Sequence, residues 1–249
     1  MTISGDDDLD RLRAAGRACA LARDTMAAAL RPGITTAELD EVGALVLAAH
    51  GARSAPALTY GFPGTTCISV NEEIAHGIPG DRVIAAGDLV NIDVSAERDG
   101  VFADTGGSYL VASGDLRLAR LCRDGKRAMW AGIGAVRSGA PFAVVGTAIG
   151  AFARRNRYSL ITNLASHGVG NSLHDEPHDI PTWPDEGERR VMSEGIVFTI
   201  EPFLSLGGEI AVEKEPNDGF TLLASPAAPT VQFEHTVVAT RHGALVVTL

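Results

Sequence analysis

Apolar side chains recur at helical spacing from Leu9 to Leu30, in a stretch rich in Ala, Leu and Arg, and Arg31-Pro32-Gly33 ends the pattern. Thr35 with Glu38 has the form of a capping box, so a second helix is predicted from there to His50-Gly51. His50 beside that closing glycine suits the helix dipole and carries no chemistry. The period then changes. Ala52 to Val70 reads as a strand, a Gly/Pro-rich loop at Tyr60-Gly61-Phe62-Pro63-Gly64 and another strand. Apolar and small polar residues alternate from Val90 to Ser95 and from Val101 to Gly107, which predicts an antiparallel hairpin closed by Glu97-Arg98-Asp99-Gly100. A loop of those residues pairs Ala96 with Val101 and sets Asp93 directly opposite Asp104.

After Gly114 the order of elements starts again. Residues 115–137 are predicted helical with a basic solvent face, Arg137-Ser138-Gly139 ends them, and Pro141 opens another helix to about Arg155. Arg-x-Gly at 31–33 and again at 137–139, each between two helices and followed by strands, predicts equivalent halves, about 9–113 and 114–247, within a single domain spanning 1–249. In the later half, Val197 to Glu201 is an apolar strand ending in a carboxylate, and Val231 to Val238 is another with Glu234 inside it. Pro216-Asn217-Asp218-Gly219 is a turn signal between them, so the two glutamates lie about equally far from the reversal.

Bulk properties narrow the function. A chain of 249 residues with 45% hydrophobic content is an ordinary globular protein of one large domain or two small ones. A formal charge of −10 and no long Lys/Arg run argue against a dedicated nucleic-acid binder. Met1 to Asp8 lacks the basic start and apolar run of a signal peptide, and no apolar stretch approaches the ~18 residues of a membrane span. The expected location is the cytoplasm, away from membranes. Cys19, Cys67 and Cys122 form no CxxC motif, which suits reduced thiols.

The hairpin carries the first chemical hint. Directly opposed residues of an antiparallel pair have Cβ atoms roughly 4.5–5.5 Å apart, and like charges so placed repel. A cation between Asp93 and Asp104 removes the conflict, and hard carboxylate oxygens favour a divalent one. The same alternation also suits two strands whose aspartates face water. Glu201 and Glu234 offer a second pair of acids on returning strands, the layout a metal site at a pseudo-twofold axis needs; the alternative is a solvated or salt-bridged role for each. The stretch Ser166-His167-Gly168-Val169-Gly170-Asn171-Ser172-Leu173-His174-Asp175-Glu176-Pro177 adds imidazoles. Its glycines keep bulk away from whatever His167 touches, a neutral imidazole is the commonest metal ligand, and His174 could reach a substrate held at the same metal. Taken singly, either histidine is more often a packed or surface residue.

Together these segments resemble the type I methionine aminopeptidases from about Leu9 to Val247. The matching segments are Cys67 to Glu72, Ala75-His76-Gly77-Ile78-Pro79, Asn91-Ile92-Asp93-Val94, Phe102-Ala103-Asp104-Thr105, His167 to Pro177, Phe198-Thr199-Ile200-Glu201-Pro202 and Phe233-Glu234-His235-Thr236-Val237. The resemblance implies an α+β, duplicated pita-bread fold with an antiparallel sheet and helices packed on its outer face. It makes Asp93, Asp104, His167, Glu201 and Glu234 the ligands of two divalent metal ions (Co, Mn, Fe or Zn), with Asp104 and Glu234 touching both. Glu201, His174 and His76 take the catalytic roles. His76 and His174 also contact substrate, and Tyr60, Phe62, Cys67 and Phe220 fall where the family builds its methionine pocket. The implied reaction removes an N-terminal methionine from nascent proteins and peptides, preferably before a small residue, with a metal-bridged water attacking. The implied partner is a peptide or nascent-chain N-terminus, met by a monomer with transient ribosome association. This chain departs from the family at Leu173, where an aromatic is common, at Asp175, where a glutamate is common, and at Phe220, where a Trp is common; each bears on pocket shape. The alternatives are an Xaa-Pro peptidase or creatinase-like hydrolase of the same fold, and an inactive binding module. The former carry an extra N-terminal domain for which only about eight residues precede the first helix here.

Overall fold

A computed structural model of the chain, describing residues 1–112 and 114–249, opens with two helices, α1 (Asp6–Ala29) and α2 (Thr36–Ala49). Asp6, Asp7 and Asp8 occupy the first turn of α1, where the dipole favours negative charge, and this carries the helix start ahead of the expected Leu9. The capping box opens α2 as expected: Glu38 N–H donates to Thr35 Oγ1 at 3.1 Å and Thr35 N–H to Glu38 Oε2 at 2.9 Å. Next come β1 (Arg53–Ser54), α3 (Ala55–Tyr60), β2 (Cys67–Val70) and β3 (Glu73–Ala75). The strand expected from Ala52 is cut short because Ser54 accepts from Ala57 N–H at 3.2 Å and Pro56 sits in the first turn, which together start a helix.

The hairpin consists of β4 (Leu89–Arg98) and β5 (Val101–Leu110). Its register differs from the expected one. Arg98 pairs with Val101, so the turn is Asp99-Gly100, with φ of 52° and 79°, the positive values that a type I′ turn requires. Asp93 therefore faces Gly106 and Asp104 faces Ser95. Side chains alternate with period two, so a slip of two residues leaves both aspartates on one face as diagonal neighbours. That face does not meet bulk water, since Asn91, Ser95 and Asp104 are all buried.

The second helical pair is α4 (Leu116–Ala135) and α5 (Ala143–Asn156). The strands that follow are β6 (Ser159–Leu160), β7 (Ser166–Gly168), β8 (Asp175–Ile180), β9 (Val197–Ile200), β10 (Phe203–Ser205), β11 (Ile210–Glu213), β12 (Leu222–Ser225), β13 (Thr230–Gln232), β14 (His235–Thr240) and β15 (Gly243–Val246). The pairing is antiparallel in every ladder among the described residues. One sheet joins β1, β4, β2 and β5, and a five-stranded sheet runs β15-β14-β9-β7-β8. Smaller sheets run β13-β10-β6 and β11-β12-β3. The α1 helix packs on β4 and β5, burying Ala15, Cys19 and Met26 with Ile68, Val90 and Ile92. The α4 and α5 pair covers the second half in the same way, over Phe198, Ile200 and Val237. There the fully buried Phe198 meets Phe142 edge-on at 5.1 Å; truncating such a ring to Ala costs ~3–5 kcal/mol.

Glu201 and Glu234 lie where strands change sheets. In the five-stranded sheet β9 and β14 pair through Ile200 and His235; just beyond, β10 and β13 pair in another sheet through Phe203 and Gln232. Glu201-Pro202 and Phe233-Glu234 fill the gap from either side. The strand expected to run unbroken through Glu234 is split there, opposite a proline that has no N–H for the ladder.

Candidate metal centre

The break in the ladder, the hairpin face and β7 converge. Asp104, His167 and Glu234, all buried, each place a ligand atom within 4.8 Å of the others. Glu201 joins them through Oε1, 3.4 Å from His167 Nε2. Asp93 is outside the tight trio but hydrogen-bonds Asp104. The structure thus brings together all five residues that the sequence proposed as ligands, four acids and one imidazole, with the carboxylates drawn from both halves of the chain.

Four carboxylates crowded out of water resist ionisation. Burial pushes Asp93 up to about 6, and burial with the charge of Asp93 lifts Glu201 to about 8 against the hydroxyl of Thr199. Asp104 and Glu234 are held well above the carboxylate range, first by burial and then by the surrounding negative charges. His167 is driven the other way, down to about 3, by burial and by the neighbouring His174. Its Nδ1 lies 2.9 Å from the Gly168 carbonyl, so a neutral ring donates there and turns the Nε2 lone pair toward the acids. Two oxygens complete the test for a cation. Asp104 Oδ1 and Glu234 Oε1 are buried and accept no hydrogen bond among the described residues. A lone buried polar atom costs about 1–3 kcal/mol, and more if charged; coordination to a divalent ion would satisfy both at once. Hard oxygens with a neutral imidazole fit Mn, Fe, Co or Zn.

Short polar side chains hold the ligands. Thr199 Oγ1 donates to Glu201 Oε1 at 2.7 Å and accepts from His167 N–H at 3.1 Å, while Ser166 Oγ accepts from Glu201 N–H at 3.1 Å. Thr236 Oγ1 accepts from Asp104 N–H at 2.9 Å and donates to Asp104 O at 2.8 Å. Gln232, not singled out in the sequence, joins the cluster. Its Nε2 donates to Glu234 Oε2 at 2.9 Å and reaches Asp93 Oδ2 at 3.4 Å, and its Oε1 accepts from Asn91 Nδ2 at 2.9 Å. Its position two residues before Glu234 was the available signal, since period two puts both on one face.

The candidate substrate residues flank this cluster. The rings of His174 and His167 are 4.1 Å apart, and the Tyr60 hydroxyl hydrogen-bonds His174 Nδ1. Burial and the nearby His76 and His178 push His174 down to about 4. His76 adopts φ of 54°, a strained value for a residue with a Cβ, and meets the Phe220 backbone. Phe220 in turn packs edge-on against Phe62 at 5.0 Å. Cys67 pairs with Asp93 across β2 and β4 and is buried, and its thiol is raised well above the usual range. Asp175 turns away to the backbone: Oδ2 accepts from Asn171 N–H at 3.1 Å and from the Met1 ammonium at 2.5 Å. Leu173 is buried.

The raised acids give stability a pH dependence with a definite sign. Their folded-state pKa values lie above the unfolded ones, so the protonated cluster contributes stability that is complete below an ordinary Glu pKa of about 4.3 and is lost as pH rises. For Glu201 the loss runs through about 8. Between about pH 7 and about pH 8 unfolded histidines are mostly neutral, and the raised carboxylates lower stability in the same direction as the buried thiols of Cys19 and Cys67, whose pKa values are also raised. Thermal denaturation in a chelator should show Tm falling over that interval, and added Mn²⁺ should raise Tm more at the upper end. A Tm that rises with pH in the chelated protein would contradict the crowding.

Comparison with known proteins gives a consistent pattern. The signature of metallopeptidase family M24 matches residues 10–241. A methionine aminopeptidase of Staphylococcus epidermidis is 42% identical over 249 residues, 100% of this chain and 98% of the relative. Methionine aminopeptidase 2 of Bacillus subtilis is 40% identical, over 100% of this chain and 99% of its own length. The crystal structure of methionine aminopeptidase from Rickettsia prowazekii superposes with a TM-score of 0.94 at 34% identity, covering 100% of both chains.

Proposed function

The chain belongs to metallopeptidase family M24, and from that premise we propose that it is a dinuclear methionine aminopeptidase, removing the N-terminal methionine from peptides and nascent chains. The observation that carries the metal reading is the pair of unpartnered buried oxygens, Asp104 Oδ1 and Glu234 Oε1. Asp104 and Glu234, with Asp93, His167 and Glu201, would hold the ions. Bound there, divalent ions would supply Lewis acidity for the scissile carbonyl and would lower the pKa of a water toward neutral. Protein side chains do the rest.

Glu201 moves the proton. Its carboxylate takes it from the attacking water and delivers it to the leaving amine, a general acid/base role, while the Thr199 hydroxyl at 2.7 Å holds it in place. His174 stabilises the oxyanion. The Tyr60 hydroxyl hydrogen-bonds Nδ1; in the tautomer where it donates, the ring proton sits on Nε2 and can donate to the carbonyl oxygen as charge develops. His76 contacts the nitrogen side of the scissile amide. The methionine side chain enters between Tyr60, Phe62, Cys67 and Phe220, where aromatic faces and sulfur suit a flexible thioether, and a small second residue is preferred.

Strands β10 to β13 fill the step from Glu201 to Glu234, which leaves no helical insert there and favours the type I enzymes. We place the enzyme in the cytoplasm as a monomer that meets chain ends transiently at the ribosome. No helix among the described residues is long and apolar enough to cross a membrane. The test is release of free methionine from Met-Ala-Ser by chelated and then remetallated protein, with Ala-Pro and Lys-Ala-Ser peptides alongside. The remetallated protein should cleave Met-Ala-Ser alone. Preference for Ala-Pro would move the chain to an Xaa-Pro activity, and equal rates on the Met and Lys peptides would contradict the apolar pocket.

A further inference from the structure

Behind the metal centre, on the side of the hairpin that faces α1 and α4, a buried cation stands apart from its surroundings. The buried face of α1 is otherwise apolar or small, with Leu12, Ala15, Cys19, Ala22 and Met26, yet Arg23 lies in it at 9% exposure. Two of its donors, Nε and Nη2, go to Asp24 Oδ1 at 2.9 and 2.8 Å, an acid that is itself largely exposed. The third, Nη1, donates to Thr105 Oγ1 at 2.5 Å. A guanidinium in such a place is costly unless its donors are used, and its inward partners are Thr105 and the Tyr109 side chain.

Thr105 occupies a particular position. It follows Asp104 in the chain, it is fully buried, and its hydroxyl donates to the Glu234 carbonyl at 2.8 Å. Gly106 and Glu234 exchange backbone bonds beside it, Glu234 N–H to Gly106 O at 3.0 Å and Gly106 N–H to Glu234 O at 3.4 Å. This seam joins the backbones that carry Asp104 and Glu234. A hydroxyl that accepts from a cation is fixed in rotation and donates more strongly. A cavity of about 280 Å³, lined by Arg23, Gly106, Tyr109, Lys126, Phe233 and His235, lies at the same seam.

We infer that Arg23 is a positioning residue for the metal centre: through the Thr105 hydroxyl it sets the Glu234 backbone against that of Asp104, and so the separation of the carboxylates proposed to bridge the ions. The inference rests on the metal-centre reading above. Calorimetric titration of the full chain with Mn²⁺ tests it, comparing wild type with Arg23→Met, Arg23→Lys and Thr105→Val. Loss of a partner that orients a ligand typically costs 10–100-fold in metal affinity, so Arg23→Met should bind about 10-fold more weakly at an unchanged far-UV CD spectrum. Arg23→Lys, which keeps a charged donor, should recover most of that. Thr105→Val should match Arg23→Met, and the double variant should be no worse than either alone, because both remove one relay. Wild-type affinity in Arg23→Met, or losses that add in the double variant, would overturn the inference. Should Arg23→Met fail to fold, wild-type affinity in Thr105→Val would do so instead. Wild-type protein that binds no Mn²⁺ would overturn the metal-centre reading and this inference with it.

Discussion

Asp104→Asn should abolish methionine release while leaving a folded and, in the absence of metal, more stable protein. The catalytic loss follows from the place of Asp104 among the proposed ligands. It sits in the tight trio with His167 and Glu234, hydrogen-bonds Asp93, and has one oxygen with no protein partner. An amide there cannot bridge two cations, and losing one ion forfeits several kcal/mol of charge stabilisation, or ~10³-fold or more in kcat/KM. The stability gain follows from the same crowding. Asp104 is pushed up by burial and by Asp93 and Glu201, so without metal the chain must protonate it on folding near neutral pH, and an amide removes that cost. Turnover of Met-Ala-Ser and thermal denaturation in a chelator read the two effects. Unchanged turnover would remove Asp104 from its bridging role, and a lower Tm without metal would contradict the electrostatic account.

His174→Ala should lower kcat by ~10²–10³, the usual cost of losing one oxyanion donor, with a smaller change in KM. The split matters because His174 is not among the proposed metal ligands: its ring stands 4.1 Å from that of His167 and its Nδ1 is hydrogen-bonded to Tyr60. A role confined to the developing oxyanion affects the transition state and not ground-state binding. Steady-state kinetics on Met-Ala-Ser distinguishes the cases. A rise in KM with kcat preserved would make His174 a substrate contact alone.

Features set by neighbouring residues were legible in the chain. The helix at Thr36 could be read from Thr35 and Glu38 because a capping box is a local device. The hairpin was legible but its register was not. Both a longer loop and the Asp99-Gly100 turn fit the alternation, and the choice falls to which residues accept positive φ. The facing of the aspartates survived because an even slip conserves the side. The helix at Ala55 depended on a Ser54 cap inside a segment that otherwise reads as a strand. The interruption at Glu234 was out of reach because its cause lies across the ladder, at Pro202, rather than in the apolar run around it. The candidate ligands were visible through a family resemblance and not through spacing alone. Gln232, Thr199, Thr236 and Thr105, which hold those ligands, carry no motif: their importance comes from which strands meet, and only the assembled sheets show that.

The most direct measurement is an anomalous-scattering map of crystals grown with Mn²⁺. Two peaks about 3.5–4 Å apart, the spacing of two-metal hydrolytic sites, should appear between Asp104 and Glu234, with Asp93 at one and His167 and Glu201 at the other. A single peak, or peaks on exposed acids with this cluster left empty, would contradict the account.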